Sequence, residues 1–231
     1  MKSTKLAVAL LAAMGISAVA TPVMAYEAGD WLIRGRIINV NPNDSSGTLN
    51  TEAFGDLGEG VTVDDDTVPE LDITYMIDRH WGLELILGYT EHTVTTHKGA
   101  GNVVATLGDK DVIDTKVLPP TLLLQYHFLP DSDYRPYIGA GVNYTYFWDE
   151  EVPSKSGVYA PGAKVDLDDS WGFALQAGMD IAINADWFVN VDVKYLDIDT
   201  TAKFKNTAAG WAEIDAEIDP FVYGIGIGRR F

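Results

Sequence analysis

The chain has 231 residues and no cysteine, and its 34 acidic against 16 basic residues leave a formal net charge of −18. Thiolate metal sites, cysteine nucleophiles and a disulfide framework are excluded, and so acidic a chain is a poor partner for nucleic acid. No motif calls for a cofactor.

Residues 1–25, MKSTKLAVALLAAMGISAVATPVMA, place Lys2 and Lys5 before an apolar run and end on small residues at Val23 and Ala25. This is the pattern of a secretory signal cleaved after Ala25, leaving a single domain over 26–231. The apolar core stops at Thr21-Pro22 and no stop-transfer charge cluster follows, which argues against a first transmembrane helix. Removing Lys2 and Lys5 leaves 14 basic against 34 acidic residues, a net charge of −20. Beyond the signal no apolar stretch approaches the roughly 18 residues a membrane helix needs. If the mature chain spans a membrane, it does so with strands.

Period-2 patterning recurs along the chain, with one parity apolar or aromatic and the other mixing Gly, polar and charged residues. Over 31–40 Trp31, Ile33, Gly35 and Ile37 alternate with Arg34 and Arg36; over 68–77 Leu71, Ile73, Tyr75 and Ile77 alternate with Glu70, Asp72 and Thr74. Trp81, Leu83, Leu85, Leu87 and Tyr89 follow in 81–90, against Gly82, Glu84, Ile86 and Gly88. The segment 118–128 offers Leu122, Leu124, Tyr126 and Phe128 against Thr121, Leu123, Gln125 and His127, and 135–148 sets Ile138, Ala140, Val142, Tyr144, Tyr146 and Trp148 against Tyr137, Gly139, Gly141, Asn143, Thr145 and Phe147. The remaining strands are 170–182, 187–200 and 217–231. Such asymmetry is that of a wall facing lipid.

Connections alternate in length. Those at 78–80, 129–134 and 183–186 are short, and those at 41–66, 91–117, 149–169 and 201–216 are long. Outer-membrane barrels pair short periplasmic turns with long external loops, and two periplasmic termini require an even strand count. Aromatics gather at two heights: Trp31, Trp81, Phe128, Trp187 and Phe231 at one, and Tyr89, Tyr144, Tyr146, Trp148, Trp171, Tyr195 and Phe221 at the other. These match interfacial girdles. In a secreted sandwich or lipocalin-like barrel the apolar parity would be the core, but an apolar face on every strand with aromatics at both ends favours the membrane. The expected fold is all-β, an eight-stranded antiparallel transmembrane β-barrel in the outer membrane of a Gram-negative bacterium, surrounded by lipid and lipopolysaccharide.

Eight strands enclose a lumen barely wider than its own side chains, so no broad aqueous pore is expected. The inward parity carries Arg34, Arg36, Glu70, Asp72, Glu84, Asp180, Asp192, Lys194 and Arg230, which can pair across the lumen as a charge network that plugs the barrel in preference to conducting ions. Above it, Ile86, Leu123, Phe147 and Leu196 mark an apolar pocket open to the outside. The charged layer blocks a straight path to the periplasm, and sideways exit into the bilayer is the physical alternative. Pro119 and Pro120 cannot donate ladder hydrogen bonds; they either open a lateral gap or end the strand above the membrane.

The four histidines assemble no catalytic or metal site. His92 and His97, five apart in extended chain, point to opposite faces, and His80 and His127 lie at the periplasmic end, so no enzyme is expected. The acidic runs Asp64-Asp65-Asp66, Asp149-Glu150-Glu151 and Asp166/Asp168/Asp169 read as solvated surface, or as sites for divalent cations shared with lipopolysaccharide phosphates.

Four segments then carry a family resemblance: LPPTLLLQYHF (118–128), RPYIGAGVNYTYF (135–147), DSWGFALQAGMDIAINADWFVNVDVKYLDIDTTAKFK (169–205) and DPFVYGIGIGRRF (219–231). In that order they resemble the OmpW family of small outer-membrane barrels, which includes alkane-import proteins. The resemblance implies a narrow channel with a hydrophobic interior passing small apolar molecules, some relatives serving as colicin or phage receptors. Terminal Phe231, with Ile227, Ile225 and Tyr223, keeps the alternation read by the barrel-assembly machinery. Arg229 departs from the usual aromatic there and is expected to snorkel at the interface. Two functions follow: passive uptake of a small hydrophobic substrate with lateral exit, or a receptor barrel acting through its loops.

Overall fold

The computed structural model describes residues 25–56, 60–97, 110–156, 159–208 and 210–231. The signal segment 1–24 lies outside the described residues. Eight strands form the wall: β1 (Trp31–Asn41), β2 (Asp66–Met76), β3 (Trp81–Gly88), β4 (Thr121–His127), β5 (Tyr134–Glu151), β6 (Ser170–Ala182), β7 (Trp187–Leu196) and β8 (Phe221–Arg230). Each pairs antiparallel with its neighbours in sequence, and β1 pairs with β8 from Leu32 opposite Arg230 to Asn41 opposite Phe221, so the sheet closes on itself without a free edge.

The burial of these strands is inverted relative to a soluble barrel. Along β1 the pattern alternates strictly, with Leu32, Arg34, Arg36 and Ile38 buried and Trp31, Ile33 and Ile37 exposed. Exposed Leu71, Leu83, Leu85, Leu122, Leu124, Ile138, Val142, Phe173, Leu175, Ile225 and Ile227 continue that band around the wall. A surface so apolar is stable only against hydrocarbon. Both girdles form as chains of ring contacts: Trp81 meets Tyr126 at 4.9 Å and Tyr126 meets Phe128 at 5.1 Å at the short-turn end, and Tyr144–Trp171 at 4.6 Å and Tyr195–Phe221 at 5.4 Å stand at the other. The Arg229 guanidinium lies over the rings of Phe231 at 4.7 Å and Trp187 at 5.5 Å, so it joins the lower girdle by cation–π contact.

Two short turns share one device. Asp78 Oδ1 accepts the N–H groups of His80 and Trp81, each at 2.7 Å, and Asn184 Oδ1 accepts those of Asp186 and Trp187, each at 3.0 Å. The Ile77 N–H then donates to the Trp81 carbonyl, and Ile183 to that of Trp187, at 2.7 and 2.8 Å. An Asx side chain mimicking a turn of backbone thus places a girdle tryptophan at the start of β3 and of β7. The two N–H donors also hold the exposed Asp78 carboxyl below its ordinary pKa.

The long connections are not loops throughout, and here the structure corrects the sequence reading. Strands Thr90–His97 and Lys110–Leu118 pair as a hairpin, joined by Gly60–Val63, and Asp199–Thr207 pairs with Gly210–Glu217 and with Lys164–Leu167. These two sheets pack around Leu49, Val61, Val94, Val112, Ile113, Val152, Val165, Phe204 and Ile214. Outside the bilayer the outward face meets water, so the pattern reverts to apolar-in, polar-out, and a search for apolar outward parity passes over it. For the same reason the strands expected over 187–200 and 217–231 break at 197–198 and 218–220 before continuing outward.

Substituting Ile225, 57% exposed and opposite both Ile37 and Val191, by Arg should lower barrel stability by about 2–4 kcal/mol, as a charge facing mid-bilayer does. Urea titration of protein refolded into vesicles measures this; an unchanged midpoint would mean that the face does not meet lipid.

Candidate functional site

Tyr26, just before β1, is fully buried in the mouth at the short-turn end. Its hydroxyl donates to Asp180 Oδ2 at 2.9 Å, the Arg135 guanidinium stacks 4.2 Å over its ring, and His127 and Phe188 meet that ring edge-on at 5.4 and 6.3 Å. Leu32, Met76 and Phe188 complete the stopper. Sequence reasoning missed it because a residue outside every strand has no parity to read.

Above the stopper lies the charged layer in two tiers. In the lower tier Arg34 donates to Asp180 Oδ2 at 2.7 Å, Glu84 Oε1 at 3.0 Å and Thr74 Oγ1 at 2.6 Å, with neither Arg34 nor its acids exposed. In the upper tier Arg36 faces Asp192 at 2.8 Å, Asp72 at 3.0 Å and Glu70 at 3.2 Å, and Lys194 pairs with Glu70. Gln125 and Gln176 tie the tiers together: Gln125 Nε2 donates to Glu84 Oε2 at 2.7 Å and Gln176 Nε2 to Asp192 Oδ2 at 2.9 Å. Asn190 and the Tyr137 hydroxyl complete the lattice around Arg36.

Glycines make room for these long side chains. On β8 the inward positions opposite Arg34 and Arg36 are Gly228 and Gly226, and Gly224 follows opposite Ile38. A Cβ at Gly226 would strike the Gly35 carbonyl and the Arg36 backbone, and one at Gly228 the Phe188 ring. The guanidinium stems lie along this bare strip.

Of the residues assigned to the network, the structure brings together Arg34, Arg36, Glu70, Asp72, Glu84, Asp180, Asp192 and Lys194. Arg230 is not among them. It lies opposite Leu32 at the level of the stopper, donates to the Ala25 carbonyl at 2.6 Å and faces Asp30 at 3.5 Å. Parity set its direction correctly, but strand position puts it at the rim.

The charged layer is the floor of an apolar cavity of about 80 Å³, bounded below by Glu70 and Lys194. Ile38, Ile86, Phe147, Leu196, Ile198 and Val222 form its lower wall, and Val61, Val94, Ile113, Ala202 and Ile214 of the outer sheets carry it upward. Ile86, Phe147 and Leu196 line it. Leu123 does not; it packs with them in one cluster but is fully buried between Glu84 and Gly141, just above Gln125.

One wall of the cavity is interrupted. The β3–β4 ladder ends at Ile86 opposite Thr121, and pairing resumes without change of register at Thr90 opposite Val117, leaving no ladder between 87–89 and 118–120. On its other side the Pro120 carbonyl accepts the Tyr144 N–H at 3.1 Å and the Pro119 carbonyl accepts Asn143 Nδ2 at 3.2 Å. Pro119 and Pro120 therefore remain bonded to β5, and the break faces β3 alone. Gly88, Pro119, Thr90, Val117 and Thr121 around it all line the cavity, at the height of the outer girdle.

Several members of the acidic runs are paired locally: Asp149 with Lys116 at 2.7 Å, Asp166 with Lys205 at 2.6 Å, Asp168 with Lys203 at 2.5 Å, and Asp64 with the Thr93 N–H at 2.7 Å. Among the described residues no three His or acidic side chains are grouped to hold a metal ion.

A closed eight-stranded meander with an apolar outer belt, two aromatic girdles and a packed ionic lumen defines a small outer-membrane barrel. The OmpW family model matches residues 27–231, and the chain belongs to that family. Outer membrane protein W of Vibrio cholerae serotype O1 is 38% identical over 234 residues, spanning the whole of both chains. The crystal structure of OprG from Pseudomonas aeruginosa superimposes with a TM-score of 0.81 at 38% identity, covering 90% of this chain and 99% of that one. The dibenzothiophene metabolism operon protein PahQ of Pseudomonas aeruginosa is 30% identical over 218 residues, 92% of this chain and 93% of the relative. The protein resides in the outer membrane, and its family and fold are those of membrane barrels and not of enzymes.

Replacing Arg34 by Met strands two buried carboxylates and should cost about 3–5 kcal/mol in urea unfolding. Neutralising the partners as well, in the triple variant Arg34→Met, Asp180→Asn, Glu84→Gln, should recover part of that loss. A single variant as stable as the parent would show that the layer does not hold the barrel.

Proposed function

We propose that the protein passes small hydrophobic molecules across the outer membrane, taking them from outside into the apolar cavity and releasing them sideways into the bilayer through the break beside Pro119 and Pro120. The coincidence of three features carries this reading: an aliphatic cavity, a sealed ionic floor, and a wall that loses its ladder at the cavity's own height. An apolar solute gains roughly 25 cal/mol for each Å² it removes from water, and crossing the charged layer would forfeit that gain. Moving through the break keeps it in apolar surroundings. The kinship with a protein named for dibenzothiophene metabolism supports this reading over a receptor acting through the outer sheets.

Uptake of radiolabelled naphthalene or a medium-chain alkane by cells with and without the protein tests the proposal. Faster uptake is expected with it. Ile86→Asp, which puts a charge in the cavity, should abolish the gain. The double variant Pro119→Thr, Pro120→Val, which restores two N–H donors to the wall, should slow uptake several-fold with the barrel intact. Equal uptake by cells with and without the protein, across several apolar compounds, would sink the proposal.

A further inference from the structure

The cavity is not uniformly apolar. Thr90 and His92 both line it, alternate residues on the strand Thr90–His97, and are only 5% and 8% exposed. Alternate residues of a strand share a face and lie about 6.5–7 Å apart. Thr90 is the first pair above the wall break, opposite Val117, and His92 stands opposite Thr115, a third cavity-lining polar residue.

The His92 ring is oriented from behind. Its Nδ1 lies 2.9 Å from the Asp64 carbonyl oxygen, an acceptor only, so Nδ1 carries the proton and donates. In the neutral ring Nε2 is then an acceptor with a free lone pair. Nε2 has no hydrogen-bond partner among the described residues, and neither has the Thr90 hydroxyl. Two polar groups, both more than nine-tenths buried, stand on one wall of an aliphatic cavity beside its proposed exit. Neither atom is sealed away from the cavity, so each is free to bond a molecule that enters it. A ligand that brings its own donor would satisfy them.

From this we infer that the cavity has a polar subsite, formed by Thr90 and His92, that selects apolar molecules bearing one hydroxyl group, such as phenols or alkanols, over the parent hydrocarbons. The ligand O–H donates to His92 Nε2, its oxygen accepts from Thr90 Oγ1, and the hydrocarbon body lies against Ile38, Leu196 and Val222. This rests on the cavity being the binding site of the proposed function. It adds the substrate's polar group and the residues that read it.

The test is direct binding to protein in lipid nanodiscs, comparing 2-naphthol with naphthalene. The same pair is run on the variant Thr90→Val, His92→Leu, so that partition into lipid cancels, and heat-modifiable gel mobility confirms that both barrels are folded. The parent protein should bind 2-naphthol about five-fold more tightly than naphthalene, as one net hydrogen bond gives, and the double variant should bind the two alike. Thr90→Val alone should lose part of the preference, and serves if the double variant does not fold. Naphthalene binding with no preference for 2-naphthol, or a preference surviving in the variant, overturns the subsite but leaves the uptake proposal standing. Failure of the parent protein to bind either compound removes both.

Discussion

Hydrocarbon cannot hydrogen-bond, so every backbone N–H and C=O within the bilayer must find its partner inside the protein, and the pairing of β1 with β8 is what makes that possible. The rest follows from closure at eight strands. So small a circumference turns every second side chain into a narrow lumen, where Arg34, Arg36 and Lys194 must find carboxylates within reach or not be there at all. The outer face inherits the opposite demand and is aliphatic from Ile33 round to Ile227. Where the wall rises above the bilayer both demands lapse, and the outer sheets pack an ordinary apolar core around Ile113 and Phe204.

That change of solvent along one strand decides what the sequence discloses. Period-2 alternation of Trp31, Ile33 and Ile37 against Arg34 and Arg36 is legible because lipid and lumen demand opposite chemistries on adjacent residues. The hairpin of Thr90–His97 and Lys110–Leu118 is as regular, yet water on one side and a core on the other reverse its sign. Height along a strand is the second quantity the sequence hides. Leu123 and Ile86 share inward parity, but only Ile86 reaches the cavity; Arg230 shares it with Arg34, but sits at the rim. Tyr26 belongs to no strand and was invisible to any argument from period.

Sealing and passage are also divided by height. The ionic tiers and the Tyr26 stopper occupy the half of the barrel whose ladders are unbroken, and the interruption beside Pro119 and Pro120 lies in the half where the cavity is apolar. Two prolines could weaken a wall anywhere. Here their carbonyls still bind Tyr144 and Asn143, so only one seam is opened.

The bare strip on β8 bears on how such a wall can be assembled. Among the eight wall strands every ladder but one joins neighbours in the chain, and those form with little loop-closure entropy; the seam between β1 and β8 joins the two ends of the domain. Had Gly224, Gly226 and Gly228 carried side chains, closing that seam would mean interleaving them with two arginines already committed to carboxylates from β2, β3, β6 and β7. With nothing on the arriving strand to interleave, the ionic lattice can be complete before the circle is, and the last strand docks as a lid slides over a filled box.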